Sequence, residues 1–203
     1  MRLFDAHRLA WLAAVLCLGH AGCTAESYEE PESEEEEAVE EGSQDISLQS
    51  VGAIAAVLVA IHDGEIFQSQ LAVDRAQDPA VRSFAAQMIA EHTLANQDVA
   101  ALLDTVGVDL VENRVSQRIT RDAVRQTWRL ERTPAWYFDW AYMTAQISMQ
   151  RLALNLLDNL LIPGSAGLPI SPLLIDLRGA VQSHLTFALG IRRSLSRGPI
   201  FFP

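Results

Sequence analysis

The feature that most constrains the fold is an apolar pattern of helical period that runs through residues 46–203. Apolar side chains recur at helical spacing and no segment alternates with period two, so the pattern excludes a β-sheet. Asp78 and Pro79 form a typical helix start, with the acid as N-cap and the proline as the first helical residue. The turn before this helix is so short that the two helices it joins must be antiparallel.

This pattern predicts an all-α domain, an up-and-down four-helix bundle with one extra short helix between the second and third long helices. Its length suits one hydrophobic core. Prolines, glycines and capping residues mark the helix ends. The predicted boundaries are a first helix that ends near Ala76, a second from Pro79 to Val106, a short one from Val115 to Arg132, and a third long one from Pro134 to Leu161. Ser171 and Pro172 are predicted to cap a fourth long helix that reaches Ser196.

Residues 1–22 have the features of a signal peptide. A basic start precedes an uninterrupted apolar stretch, residues 9–19, which is too short to span a bilayer. The Ala-Gly-Cys triplet that ends at Cys23 resembles a bacterial lipobox, although His20 stands where such boxes carry an aliphatic or small residue. We therefore expect Cys23 to carry a lipid that anchors the chain to a membrane. The alternative is ordinary cleavage nearby, which leaves a soluble periplasmic or secreted protein.

Residues 23–45 form an acidic linker between this cysteine and the helical domain. The linker holds eleven acids and no base, so it cannot bury enough apolar surface to offset its chain entropy, and we expect a disordered spacer. The net charge of −11 resides there, because residues 46–203 carry 14 acids and 13 arginines. By resemblance to Gram-negative sorting, Thr24 after the cysteine predicts the outer membrane, facing the periplasm, as the location in the cell envelope.

Four polar side chains fall on the inward stripes of different long helices, namely Glu65, His92, Gln150 and His184. Counted at 1.5 Å per residue, the first two lie about 20 Å from their shared turn and the other two about 17 Å from theirs. The sequence therefore predicts one interior polar cluster near mid-bundle. His62, beside Asp63, is expected to be an ordinary, partly exposed residue.

This predicted cluster has two chemical interpretations. One carboxylate and two imidazoles, with Gln150, suit a divalent transition metal such as Fe, Zn or Mn. The other interpretation is a buried hydrogen-bond network that fixes helix register. A ferritin-type diiron oxidase needs a Glu-x-x-His motif on each of two helices. Here Glu91 and His92 are adjacent, and no acid lies three residues before His184. The sequence therefore disfavours a ferritin-type diiron oxidase.

A second candidate site is a stripe of arginines on the short helix. Successive arginines are three or four residues apart, which places all of them on one helix face. The stripe has three interpretations: a solvated surface, docking of anionic lipid headgroups or another anionic envelope polymer, and docking of the acidic linker. The compartment and the nearly neutral domain disfavour nucleic acid. The arginines are Arg114, Arg118, Arg121, Arg125, Arg129 and Arg132.

Two sets of residues carry a resemblance to a known family. Gly64-Glu65, Asp78-Pro79, Phe84-Ala85 and Glu91-His92 resemble the first half of domain-of-unknown-function family 4142, and Phe138-Asp139, Tyr142, Gln146 and His184-Leu185 resemble its second half. The family consists of bacterial envelope proteins, so the resemblance, over residues 47–196, implies a ferritin-like bundle in the envelope and no particular reaction. Gln150 stands where such sequences usually carry a histidine.

The absence of common catalytic motifs favours a noncatalytic protein. The sequence has no Gly-rich phosphate loop, no His-Glu-x-x-His, no Gly-x-Ser-x-Gly and no paired cysteines. We therefore expect a membrane-tethered envelope lipoprotein that acts as a binding or stress-related helical bundle. The alternative is a metal-binding ferritin-like protein or weak oxidoreductase that uses the interior Glu/His cluster. The sequence leaves the oligomeric state open.

Overall fold

The computed structural model describes residues 50–195, and all regular secondary structure in that range is helical. The prediction of an all-α fold, with a short helix between the second and third long ones, is confirmed there. The predicted signal peptide, Cys23 and the acidic linker lie outside the described residues. The elements are α1 (Val51–Arg75), α2 (Pro79–Val106), α3 (Arg114–Glu131), α4 (Ala135–Leu156) with a π-helical turn after it (Leu157–Leu161), α5 (Ile162–Gly164) and α6 (Ser171–Ser194).

Local capping chemistry explains where the helices begin and end. Asp78 Oδ1 accepts a hydrogen bond from Ala80 N at 2.7 Å, and Gly107 ends α2 with φ at 66°, a backbone conformation that favours glycine. Two predicted details differ. The end of α4 widens into the π-helical turn, and Ser171 is the first residue of α6 instead of its cap, since its hydroxyl bonds to Ser165 Oγ at 2.8 Å.

Helix α1 is the central element and contacts α2, α3 and α4. By length and composition it could cross a membrane, but most of its apolar surface is buried by these neighbours, as in the core helix of a globular domain. Two glycines permit the close approach of the chain around α3. A Cβ on Gly52 would lie 2.2 Å from Asp109 O, and one on Gly64 would lie 2.8 Å from Ala123 Cβ.

Contacts at both ends fix the direction of α3. Asn113 Nδ2 donates to Ala53 O at 2.9 Å, near the first residues of both helices. Arg75 Nη1 donates to Leu130 O at 2.7 Å, near their last residues. Helix α3 therefore runs parallel to α1, and the short turn after it sends α4 back antiparallel to both.

Helix α6 packs on α4 and also contacts α2. Arg178 pairs with Asp158 near one end of α6, and Arg192 Nε donates to Thr144 Oγ1 at 3.0 Å near the other, so α6 is antiparallel to α4. The long helices α1, α2, α4 and α6 thus run up, down, down and up. The alternation expected of an up-and-down bundle holds only when α3 is counted, because α3 carries the chain between the two parallel long helices.

The interior consists of two apolar clusters. One is built from the first half of α1, the end of α2, the π-helical turn and the start of α6, with Ile54, Leu161 and Leu174 fully buried. The other is built from the end of α1, the starts of α2 and α4 and the end of α6, and includes Phe138 and Met143. A set of buried polar side chains, here called the polar layer, belongs to neither cluster: His62, Glu65, Gln68, Ser69, His92, Gln146, Gln150 and His184.

Candidate functional site

The centre of the polar layer is the carboxylate of Glu65, on α1, which has no exposed surface. Gln150 Nε2, on α4, donates to both of its oxygens, at 3.0 and 2.9 Å. His92 Nε2, on α2, forms an ion pair with Oε2 of the same carboxylate. The structure therefore brings together Glu65, His92 and Gln150, at the common depth that turn counting predicts.

The fourth predicted residue, His184 on α6, lies beside this group but pairs elsewhere. Its ring centroid is 5.5 Å from that of His92, while its Nε2 pairs with Glu91 Oε2. Nδ1 of His184 is buried and has no hydrogen-bond partner among the described residues. The adjacent residues Glu91 and His92 thus belong to two separate carboxylate–imidazole pairs, Glu91 with His184 and His92 with Glu65. His184 pairs with Glu91 because α6 lies across from α2.

His62 is a further member of the layer, and the expectation that it is partly exposed was wrong. Its side chain is buried, with its ring centroid 5.2 Å from that of His92. Asn96 Nδ2 donates to Asp63 Oδ1 at 2.9 Å, which leaves Asn96 Oδ1 to accept from His62 Nδ1 at 2.9 Å. The sequence contained a usable signal, because His62 lies three residues before Glu65 on the inward stripe.

Burial and neighbouring charges set the protonation of these imidazoles. Burial lowers the pKa of His62 to about 4, and the nearby charge of His92 acts in the same direction. Burial also acts to lower the pKa of His92, but the charge of Glu65 and the hydrogen bond to it outweigh burial, and the pKa ends above its ordinary value. The layer therefore favours a neutral His62 beside a protonated His92.

Glu91 differs from Glu65 because water reaches it. Its side chain is 42% exposed. Burial acts to raise the pKa of Glu91, but the hydrogen bonds from Gln87 and His184 outweigh burial and the pKa ends below its usual value. In the Glu91–His184 pair, water can therefore solvate the carboxylate, while the imidazole belongs to the buried polar layer.

Two buried glutamines in the layer have unpaired amides. Gln68 on α1 and Gln146 on α4 have no exposed surface, and neither Oε1 nor Nε2 of either has a hydrogen-bond partner within residues 50–195. Ser69 and Tyr142, on the same two helices, bond to each other through their hydroxyls at 2.9 Å. Because buried polar groups are nearly always paired, these amides need an explanation. Gln146 is one of the residues that carry the family resemblance, whereas Gln68 was not singled out in the sequence.

The layer has little room for a ligand. A cavity of about 10 Å³ lies beside Glu65 and His92, at the lower limit for one water molecule. Among residues 50–195, no group of three or more His, Cys, Asp or Glu side chains is arranged to hold a metal ion. Glu65 and His92 contact each other directly, so an ion could enter only if this pair opened. As arranged, the residues do not fit a closed metal site.

The predicted arginine stripe lies on the outer face of α3. All six side chains are exposed, while Ile119, Ala123 and Leu130 on the opposite face are buried. Asp122 pairs with Arg125 and with Arg118. We call this surface the arginine face: Arg114, Arg118, Arg121, Arg125, Arg129 and Arg132.

Apolar side chains accompany these arginines. Val124 is 62% exposed and Trp128 is 54% exposed, and their spacing from Arg121 and Arg125 places them on the same side of α3. The Arg132 guanidinium lies 3.7 Å from the centroid of the Trp128 ring. The arginine face therefore combines several cations with an exposed aromatic ring, a combination that composition alone does not predict.

Comparison with known proteins identifies a family and no characterised relative. No curated protein and no solved structure matches the chain. The sequence model of a family described as domain of unknown function (DUF4142) matches residues 37–190, which is most of the chain and includes both Glu65 and His184. The chain therefore belongs to the DUF4142 family.

Proposed function

We propose that this protein is a noncatalytic helical bundle of the cell envelope, tethered through a lipid on Cys23, that docks on an anionic lipid surface with the arginine face of α3. The observation that carries the proposal is the composition of that face, where six exposed arginines share one side of α3 with the exposed ring of Trp128. Guanidinium groups pair with phosphates, and an exposed indole suits the boundary between headgroups and acyl chains.

The arrangement of the long helices supports a ferritin-like bundle. Ferritin-like folds have one long connection between two parallel helices. Here α2 and α4 are the parallel pair, and α3 lies in the connection between them. In this arrangement α3 packs on α1 with its inner face, which holds Ile119, Ala123 and Leu130, and its outer face is exposed and free to contact a surface.

The interior supports a noncatalytic protein. The carboxylate of Glu65 is fully buried, its oxygens are held by His92 and Gln150, and the adjacent cavity has room for one water at most. A substrate would have to displace core side chains to reach it. We propose that this network fixes the register of α1, α2 and α4.

Replacing Arg118, Arg121 and Arg125 by glutamine should weaken binding to anionic vesicles. Each arginine near such a surface contributes about 1 kcal/mol, so losing three predicts a roughly 100-fold weaker affinity. Binding of the Cys23→Ser chain, which cannot be acylated, is measured by vesicle sedimentation at two salt concentrations. Binding should also fall as salt rises.

The matched control changes the same number of charges elsewhere. Arg82, Arg151 and Arg178 lie on other helices, and their triple glutamine variant should retain most of the binding. Equal losses in the two triple variants would show a net-charge effect and contradict the proposed face. The proposal is also contradicted if neither the parent chain nor the control binds the vesicles. If the parent chain binds an anionic polysaccharide but not the vesicles, the ligand of the arginine face is an envelope polymer and not a lipid surface.

A metal-binding bundle is the second candidate function. It is favoured by His184 Nδ1, which is buried beside the ring of His92 and has no hydrogen-bond partner in the part of the chain that the structure describes. If it is correct, the purified chain contains stoichiometric Fe, Zn or Mn, and His92→Ala and His184→Ala each lose the metal. Elemental analysis after dialysis measures this. A stable fold that takes up none of these metals would contradict the candidate function.

A further inference from the structure

A groove of about 420 Å³ lies between α3 and α4, and none of the residues discussed as candidate metal ligands lines it. Asp122 and Gln126 of α3 form part of one wall, and Tyr137 and Trp140 of α4 form part of the other. Gln68 of α1 also lines the groove and has no exposed surface, and we call this buried side the base of the groove. The volume is within the range of small-molecule sites, which typically combine apolar walls with a few polar groups.

The base of the groove offers an unused pair of hydrogen-bonding groups. Gln68 has no exposed surface, and both atoms of its amide lack a partner among the described residues. A primary amide presents an acceptor and a donor side by side. The group that satisfies both at once carries an N–H and a C=O on one edge, as do primary carboxamides and lactam-type rings.

The walls of the groove favour a flat, uncharged ligand. The rings of Tyr137 and Trp140 stack with centroids 4.9 Å apart and provide an aromatic wall. The carboxylate of Asp122 is already matched by Arg118 and Arg125, so it does not call for a cationic ligand. The other polar groups of the lining are hydroxyls, amides and the indole N–H of Trp140, all of which are neutral.

We infer that this groove binds a small planar molecule with a carboxamide or lactam edge, and that the amide of Gln68 pairs with that edge. No solvent reaches Gln68, so a lining side chain must move as the ligand enters. Met149 lines the same groove, and its unbranched, flexible side chain can move at low cost. The inference goes beyond the proposed docking function, because it concerns a different surface and a different ligand.

The test compares two benzamides, in one of which methyl groups replace both amide protons. Benzamide presents the N–H and C=O edge, while N,N-dimethylbenzamide retains the ring and carbonyl but has no N–H. Titration of the full chain, followed by tryptophan fluorescence and by the NMR signal of the Gln68 side-chain amide, should show millimolar binding of benzamide and at least about tenfold weaker binding of the dimethyl analogue. A parallel titration with uracil, which has a lactam edge, shows whether a carboxamide or a lactam edge binds more tightly.

The matched variants are Gln68→Leu and Gln146→Leu, each of which removes one fully buried, unpaired amide. Gln68→Leu should weaken benzamide binding at least about tenfold, and Gln146→Leu, whose side chain does not line the groove, should leave it unchanged. Ala141→Phe fills the groove without changing its base and should also abolish binding, which keeps the test decisive if Gln68→Leu fails to fold. Equal effects of the two leucine variants, equal affinity for both benzamides, or no binding of benzamide or uracil would overturn the inference.

Discussion

Replacing Glu65 by leucine is expected to lower the free energy of unfolding by about 3–5 kcal/mol, the usual cost of breaking a buried ion pair from one side. The carboxylate is fully buried and accepts hydrogen bonds from Gln150 while it pairs with His92. Its removal leaves an imidazole and an amide without their acceptor in the interior, where water cannot replace it. Urea unfolding followed by circular dichroism measures the loss.

Glu91 provides the matched control, since it pairs with His184 as Glu65 pairs with His92. Its side chain is 42% exposed, so water can replace the carboxylate, and Glu91→Leu should cost about 1 kcal/mol or less. Changing Glu65, His92 and Gln150 together to leucine should recover part of the loss, because neither of the two partners of the carboxylate is then left without its acceptor. If Glu65→Leu and Glu91→Leu lower the free energy of unfolding equally, burial is not the reason that the Glu65 network stabilises the fold.

The second large effect is expected in acid, through His62. Its pKa is about 4 in the folded protein against 6.5 as the ordinary value. Between these values the unfolded chain binds a proton that the folded chain does not, so the free energy of unfolding falls as the pH falls. At about 1.36 kcal/mol per pH unit, the loss across this window is roughly 3 kcal/mol. His62→Gln, which can still donate to Asn96, should remove this part of the acid dependence.

His92 contributes with the opposite sign. Its pKa is raised in the folded protein, so its contribution is present below pH 6.5 and is lost as the pH rises through the folded-state value. His92→Gln should therefore flatten the alkaline side of the stability profile. Urea unfolding over a pH series measures both variants. Taking differences from the parent protein cancels contributions that the variant and the parent share. An unchanged acid side of the profile in His62→Gln would contradict the role assigned to His62.

Much of the fold could be predicted because helix ends depend on neighbouring residues. Asp78 and Pro79 start α2, and Gly107 ends it, through hydrogen bonds and dihedral angles within a few residues of each position. The depth of the polar layer could also be predicted, because the rise per residue is constant and a short turn aligns two helices. This is why Glu65, His92 and Gln150 meet where counting places them.

The partners of side chains could not be predicted in the same way. Whether His184 pairs with Glu65 or Glu91 depends on how α6 is placed across α2, and the burial of His62 depends on how far the neighbouring helices cover the edge of the stripe on α1. The groove above Gln68 forms because α3 packs on α1 beside α4, an approach that Gly64 permits. None of these placements is encoded in a local pattern.

The sequence alone thus determined the helical class, the helix ends, the common depth of the interior polar residues and the alignment of six arginines on one face of α3. These features follow from the rise and the angle per residue along one helix. The tertiary structure decided which imidazole pairs with which carboxylate, that His62 is buried, that Trp128 stands exposed among the arginines, and that an unpaired amide lies at the base of a groove. Those outcomes depend on the rotation and spacing of helices far apart in the chain, which only their packing together establishes.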